Sequence, residues 1–324
     1  MSRTFFRALL ALGMSLSLGL SSITATAQEA WPARPIKLVV PYASGGTTDL
    51  IARRLAEQLS KELGQSIVVE NRAGAGTNVG ASAVAASKND GYTLLLGSIF
   101  QVLNPLFGPE PNFDLFTGLE PISLVANMPF VLAANPKTPY NSGAELIAAA
   151  KAAPKQLSVS HAQLDLPLEL LASKAGMQLL LVPYKGGGPA TTDAIGGQVN
   201  MVFALVPVLL PHIQSGKLKP LAVTSAKRFV TLPNVSTFAE SGFDYDMSMW
   251  YGLFAPAGTP RSIVERLARS THKVMDNKEM TDWARSIGTD AVTNTPEEFR
   301  AQLRKETIFW QSVAKDMPHL MKKQ

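Results

Sequence analysis

The residues that could bind an anion lie in two glycine-rich loops, 41–49 and 71–78. Each loop follows a run typical of a β-strand and precedes a helical pattern. The N-terminus of a helix offers backbone N–H groups without intrahelical acceptors and a partial positive charge, and glycine lets an anion approach them closely. Two such loops from neighbouring strands would hold a carboxylate without any Arg or Lys. The alternative is that these are ordinary strand-to-helix turns whose glycines only relieve strain.

The residue types exclude several other kinds of chemistry. The chain has no cysteine, so it has no disulfide, no thiolate metal site and no Cys nucleophile. Its four histidines, at 161, 212, 272 and 319, stand more than a helical turn apart, so a short His-pair metal motif is absent. The glycine pattern at 74–80 is one residue too long for a dinucleotide fingerprint, and Gly45-Gly46 is not followed by the Lys-Ser/Thr of a phosphate-binding loop. We therefore expect no metal and no cofactor.

Strands that alternate with helices position the two loops. Thr47 or Thr48 is predicted to cap the first helix, and Asp49 falls in its first turn, where an acid is favoured. Such alternation predicts a parallel α/β sheet with its ligand site beyond the carboxyl ends of the strands. The predicted elements are strands 36–40, 66–70 and 93–96 and helices 50–63 and 79–87.

A second α/β unit follows in the middle of the chain, and the remainder is mostly helical. This organisation predicts two lobes joined by crossing segments, with a cleft between them as the binding site. The predicted strands of the second unit are 130–133, 157–160, 179–182, 199–204 and 218–224. The predicted helices are 144–153, 168–174, 189–195, 262–277, 278–286 and 296–316.

The N-terminal 27 residues have the pattern of a secretory signal peptide. Arg3 and Arg7 precede an apolar run at 8–20, and Ala25-Thr26-Ala27 forms an A-x-A cleavage site. We expect cleavage after Ala27 and export to the periplasm. The periplasm is an oxidising compartment, which suits a chain without cysteine. The net charge is +5 and falls to +3 without these residues, which hold two arginines and no acid. The sequence has no basic patch of the kind that would indicate nucleic-acid binding.

Separated motifs along the mature chain carry a resemblance to a known family. They are residues 40–49 (VPYASGGTTD), 69–76 (VENRAGAG), 90–94 (DGYTL), 182–186 (VPYKG), 196–199 (GGQV) and 250–253 (WYGL). In this order they resemble the extracytoplasmic solute receptors of tripartite tricarboxylate transporters, the Bug family. The resemblance spans nearly all of the mature chain.

The resemblance implies a two-lobed type II periplasmic-binding-protein fold that closes on a small carboxylate. It implies a first lobe at 28–124, a second lobe at 125–225, and a return segment at 226–324 whose C-terminal helices pack on the first lobe. A monomer is expected, which passes a di- or tricarboxylate or another organic acid to a membrane permease of one large and one small subunit.

The resemblance also assigns the ligand-binding residues. In the second lobe the segment 158–167 departs from the family pattern: it is shorter, has no glycine, and begins its helix at Asp165. There Ser160, His161 and Gln163 could supply a different set of contacts, although a lone histidine is more often a solvated loop residue. In the first lobe the assigned residues are Tyr42, Ser44, Gly45, Gly46, Thr47, Thr48, Asp49, Ala75, Gly76, Thr77, Asn78 and Ser98.

Two other functions stay open at this point. A sensory co-receptor that presents its ligand to a membrane signalling protein would use the same closed lobes, so the sequence does not separate it from a transport receptor. An exported hydrolase is disfavoured, because the G-x-S-x-G and H-E-x-x-H motifs are absent and no Ser/His/Asp set occurs in a recognisable order.

Overall fold

The computed structural model describes residues 31–162 and 165–321. The predicted signal peptide with its cleavage site, and Gln163, lie outside the described residues. Within the part of the chain that is described, no helix has both the length and the apolar character needed to cross a membrane.

The first sheet carries both glycine-rich loops. Its strands are β1 (Ile36–Val40), β2 (Ile67–Asn71), β3 (Thr93–Ser98), β4 (Leu119–Ala134) and β9 (Ser248–Pro256), in the order β2-β1-β3-β9-β4. β1 is parallel to β2 and β3, whereas β9 is antiparallel to β3 and β4. The carboxyl ends of β1, β2 and β3 therefore meet at one edge, as the alternation of strands and helices predicted.

The second sheet is built around the far end of β4. Its other strands are β5 (Ser158–His161), β6 (Leu180–Pro183), β7 (Met201–Leu205) and β8 (Lys219–Val223). β5, β6 and β7 are mutually parallel, and β7 and β8 pair antiparallel with β4. A two-residue strand, β10 (Asp290–Ala291), pairs with the part of β4 that belongs to the first sheet.

Eleven helices in the described residues flank these sheets. They are α1 (Thr47–Leu63), α2 (Asn78–Ala85), α3 (Phe100–Phe107), α4 (Leu115–Gly118), α5 (Gly143–Ala152), α6 (Asp165–Ala175), α7 (Gly187–Gly196), α8 (Val206–Gln214), α9 (Arg261–Met275), α10 (Lys278–Ser286) and α11 (Pro296–Asp316). Single turns of 3-10 helix occur at Ala75–Thr77, Ala239–Ser241 and Pro318–Leu320.

Most predicted elements are found with small changes in their bounds, but the strand predicted at 130–133 is the end of the longer β4, and three helices, α3, α4 and α8, were not predicted. α3 and α8 carry Pro105 and Pro211 in their interiors, and proline is a helix-breaking signal in a sequence. The prediction that Thr47 or Thr48 caps α1 is wrong, because the cap residue is Gly46 and no side chain caps this helix.

Two connections run between the two sheets, β4 itself and the segment from β8 to β9, and hydrogen bonds hold them side by side. β4 is a single strand of 16 residues that pairs with both sheets, and the boundary predicted at 124–125 falls inside it. The Thr224 hydroxyl contacts the Met247 carbonyl oxygen at 2.6 Å, and the Phe130 N–H donates to the Thr224 Oγ1 at 2.8 Å. The Phe130 ring stacks on Phe203 with 5.1 Å between ring centres, so this part of β4 is anchored in the second lobe.

Candidate functional site

The first loop presents the N-terminus of α1 without a side-chain cap. Gly46 is the cap residue with extended backbone angles of φ −84° and ψ 174°, and no side chain accepts a hydrogen bond there. Ser44, Gly45 and Gly46 are exposed. The N–H groups of a first helical turn have no intrahelical acceptor, so they are available to an anion at this point.

Asp49 holds the first loop in this shape instead of capping the helix. Its Oδ2 accepts from the Gly45 N–H at 3.0 Å and from the Arg53 Nε at 2.9 Å. Its Oδ1 accepts from the Asn71 amide at 3.0 Å, and the same amide donates to the Tyr42 carbonyl oxygen at 3.1 Å. The carboxylate therefore accepts hydrogen bonds from three groups of the protein, and it ties the ends of β1 and β2 together.

The electrostatics of Asp49 agree with this positioning role. The hydrogen bond from the Arg53 guanidinium is the main cause that lowers the pKa of Asp49 to about 2, and the Gly45 N–H and the Asn71 amide lower it further. Burial acts in the opposite direction. Asp49 is thus ionised at neutral pH, and its charge is paired with Arg53.

Two pairs of hydroxyl groups lie behind the first loop. The Tyr42 hydroxyl and the Ser98 Oγ are 2.7 Å apart, and the Thr48 Oγ1 donates to the Tyr251 hydroxyl at 2.7 Å. The two tyrosine rings meet edge to face, with centres 6.0 Å apart. Burial raises the pKa of Tyr42 and of Tyr251, so both phenols stay neutral and can donate hydrogen bonds.

The second loop has an unusual backbone that α3 holds in place. Ala75 and Thr77 have positive φ angles of 45° and 85°, which are strained for residues with side chains. The Asn104 amide donates to the Gly76 carbonyl oxygen at 2.6 Å and to the Asn78 Oδ1 at 2.8 Å. Thr77 and Asn78 are buried, so their side chains brace the loop while the backbone at Ala75 and Gly76 is exposed.

Gln101 joins this loop to the end of β3. Its amide nitrogen donates to the Thr77 Oγ1 at 2.9 Å, and its Oε1 accepts from the Ser98 N–H at 2.6 Å. α3 was not predicted from the sequence, so Gln101 and Asn104 were missed as supporting residues. The link between Asp49 and Arg53 could have been found, because an acid and a base four residues apart in a helix are neighbours.

The structure places Ser160 and His161 in the interior of the second lobe. The Ser160 hydroxyl donates to the Ala190 carbonyl oxygen at 2.9 Å, and the side chain is fully buried. The His161 ring is also buried, with its Nε2 3.5 Å from the Asp165 Oδ1. Burial lowers the pKa of His161, although the charges of Asp165 and Glu169 oppose the shift. A ligand contact from Ser160 or His161 stays a prediction.

A cavity of about 270 Å³ opens between the two lobes, and its described lining includes Asn104, which contacts the second loop, but none of the predicted ligand-binding residues. It is lined on one side by α3, on the other by the start of α6, and at its back by the segments that cross between the sheets. Among the described residues, no group of three or more His, Cys, Asp or Glu side chains could hold a metal ion.

Comparisons with known proteins agree with this architecture. A family model described as "Tripartite tricarboxylate transporter family receptor" matches residues 51–316. The chain is 37% identical to Protein BugT of Bordetella pertussis over 295 residues, and this match covers 89% of this chain and 90% of that protein.

Solved structures show the same likeness. The periplasmic binding protein BugD is 33% identical, with a TM-score of 0.74 over 90% of this chain and 100% of that chain. An R. palustris protein solved with adipate is 35% identical, with a TM-score of 0.76 over 88% of this chain and 97% of that chain. These likenesses confirm the predicted two-lobed periplasmic-binding-protein fold.

Proposed function

The chain belongs to the tripartite tricarboxylate transporter receptor family, the Bug proteins, and on that premise we propose that it is a receptor for a small organic carboxylate. Its relatives are named as receptors and binding proteins and not as enzymes. We propose that it is exported to the periplasm with cleavage after Ala27, and that it delivers its ligand to the large and small permease subunits of a tripartite transporter.

The observation that carries the proposal is the uncapped N-terminus of α1 beside the open backbone of the second loop. Asp49 aligns the first loop, and Asn104 and Gln101 align the second. Both loops therefore offer N–H groups in fixed positions at one edge of the sheet. Hydrogen bonds to a charged group contribute about 1.5–3 kcal/mol each, so a few of them can hold a carboxylate without a cationic side chain.

The neighbouring hydroxyls extend this anion site. Tyr42, Ser98, Thr48 and Tyr251 form two hydrogen-bonded pairs next to the first loop. A hydroxyl can rotate its hydrogen towards an incoming oxygen. The adipate in the R. palustris structure supports the choice of an organic acid as the ligand of this chain.

The variant Gly46→Val tests the proposal, because it adds bulk where the anion would lie. The added Cβ would meet no atom within 4 Å, and φ −84° is accessible to valine, so the fold should tolerate the change. Gly196→Val is the matched control: it stands at the exposed end of α7, and its Cβ would also meet no atom within 4 Å.

Binding is measured by calorimetry and by thermal shift with a panel of organic acids, amino acids and neutral sugars. We expect an organic acid to raise the Tm of the unmodified protein by mass action. Gly46→Val should bind that acid at least about tenfold more weakly, the factor that corresponds to the loss of one hydrogen bond to a charged group. Gly196→Val should bind normally. Unchanged affinity in Gly46→Val, or stabilisation by neutral sugars alone, would refute the proposal.

Delivery to a permease is a separate step with its own test. Uptake of the bound acid into vesicles that contain the cognate permease subunits should require this receptor. Uptake that is independent of the receptor would contradict the transport role and leave ligand binding intact.

A further inference from the structure

α3 lines the interlobe cavity and also contacts the second glycine-rich loop. Ser98 ends β3, and Phe100 begins α3 two residues later and lines the cavity. The Phe100 N–H donates to the Ser98 Oγ at 3.3 Å. Asn104 also lines the cavity, and it holds the Gly76 carbonyl oxygen of the second loop. A ligand whose carboxylate lies at the two loops would therefore direct the rest of its body towards this cavity.

The two facing walls of the cavity are apolar. α3 contributes Phe100, Leu103 and Phe107, and the first turn of α6 contributes Leu166 and Pro167. The volume of about 270 Å³ is far above the roughly 10–15 Å³ that a single water molecule needs. An apolar body placed here would be removed from water, and such burial favours binding.

The back of the cavity is apolar as well. Phe130, Met247 and Met249 lie there, in the segments that cross between the lobes. Phe130 is fixed by its stacking on Phe203, whereas unbranched methionine side chains adapt to the shape of a ligand. These residues can accept an aliphatic chain or an aromatic ring.

Among the described residues, the polar side chains that line the cavity offer no free donor to a second carboxylate. The amide nitrogen of Asn104 already donates to Gly76 and Asn78. Asp165 carries a carboxylate of its own, 58% exposed, at the start of α6. None of the described residues that line the cavity is a Lys, Arg or His. A second negative charge in the ligand would meet the Asp165 carboxylate, which already compensates the partial positive charge of the first turn of α6, and no cationic side chain among the described lining residues.

We infer, on the basis of the proposed carboxylate-binding function, that the ligand is a monocarboxylate whose aliphatic or aromatic body fills this cavity. Asp165 then selects against dicarboxylates that have the same body. The loops supply affinity for the first carboxylate, and the cavity determines which acids are accepted.

Matched pairs of acids test this inference, because each pair differs only in the second carboxylate. Hexanoate is compared with adipate, and benzoate with terephthalate, by calorimetry at pH 7.5. We expect the monocarboxylate of each pair to bind roughly tenfold more tightly. This is the order of magnitude of the Coulomb repulsion between two unit charges a few Å apart when solvent partly screens them.

Two variants of the cavity change the selectivity in a predicted direction. Asp165→Asn should improve dicarboxylate binding several-fold and bring the two acids of each pair close together. Leu166→Arg places a cation on a half-buried part of the wall and should reverse the preference. Glu169→Gln is the control, because it removes the same charge one turn further along α6, where the side chain contacts His319 and not the cavity. In this variant the ratio of monocarboxylate affinity to dicarboxylate affinity should stay within about twofold of the value for the unmodified protein.

The outcomes separate this inference from the proposed function. Equal or tighter binding of the dicarboxylates by the unmodified protein, or a ratio that Asp165→Asn leaves unchanged, overturns the inference and leaves carboxylate binding standing. The absence of binding by every acid in the panel overturns both.

Discussion

The substitution Asp49→Asn tests the role of the carboxylate that holds the first loop. Asp49 is buried and accepts hydrogen bonds from the Gly45 N–H, the Arg53 guanidinium and the Asn71 amide. An asparagine at this position would turn two N–H hydrogens towards at least one of these donors and would remove the charge that pairs with Arg53. The loop should lose its fixed shape, so both the free energy of unfolding and the affinity for ligand should fall.

The magnitude follows from the pKa of Asp49. Its value of about 2, against an ordinary value of about 3.9, corresponds to about 2.5 kcal/mol in favour of the charged form. The Arg53 side chain is 55% exposed, so solvent screens the main interaction. We therefore expect Asp49→Asn to lower the free energy of unfolding by about 1–1.5 kcal/mol at pH 7.

The sign of the pH dependence is fixed by the direction of this shift. A carboxyl whose pKa is lowered by folding stabilises the native state above its unfolded pKa of about 3.9. That stabilisation is lost as the pH falls through the folded value of about 2. The difference between the two proteins should be constant from pH 7 to about pH 5 and should shrink towards pH 3.

Urea denaturation followed by circular dichroism at pH 7, 5, 4 and 3 measures this difference. Asp282→Asn is the control, because that carboxylate forms a surface ion pair with the exposed Lys278, and its loss should change the free energy of unfolding by less than about 0.5 kcal/mol. A loss in Asp49→Asn that is the same at pH 3 as at pH 7, or no larger than the loss in the control, would show that the paired charge is not what holds the loop.

Two further predictions concern the segments behind the cleft. Gly252→Ala should destabilise the protein by about 1–3 kcal/mol, because the added Cβ would clash with the ring of the fully buried Phe299. Chemical denaturation measures the loss, and an unchanged midpoint would contradict the packing argument. Glu306→Gln should gain stability relative to the unmodified protein as the pH rises from 5 to 8, because burial raises the pKa of Glu306 and its ionised form destabilises the fold. The Trp250 and Gln302 donors oppose this pKa shift, and the charge of Asp246 adds to it. A difference in Tm between the two proteins that is the same at pH 5 and pH 8 would contradict the prediction.

The fold could be predicted from the sequence where the signal was local and repeated. The bounds predicted for β1, α10 and α11 agree with the structure residue for residue, since each carries a regular apolar period between clear ends. α3 and α8 were missed because their internal prolines hide the helical pattern, although packing of their apolar faces stabilises them. The long β4 was predicted only in part, because a strand that is buried on both faces lacks the alternation that marks a strand.

The candidate site divides in the same way. The sequence alone located the two glycine loops and the helices that follow them, because glycine and the apolar period act over a few residues. It predicted Asp49 in the first turn of α1 but not where the carboxylate would point, and it gave no reason to connect Asn71 or Asn104 with the loops. Those contacts exist because the register of the sheet places Asn71 opposite Val40, and because α3 packs beside the second loop. The sequence determined which segments could bind an anion, whereas only the tertiary structure decided which side chains hold them open, since hydrogen bonds between distant residues form only after the strands have paired.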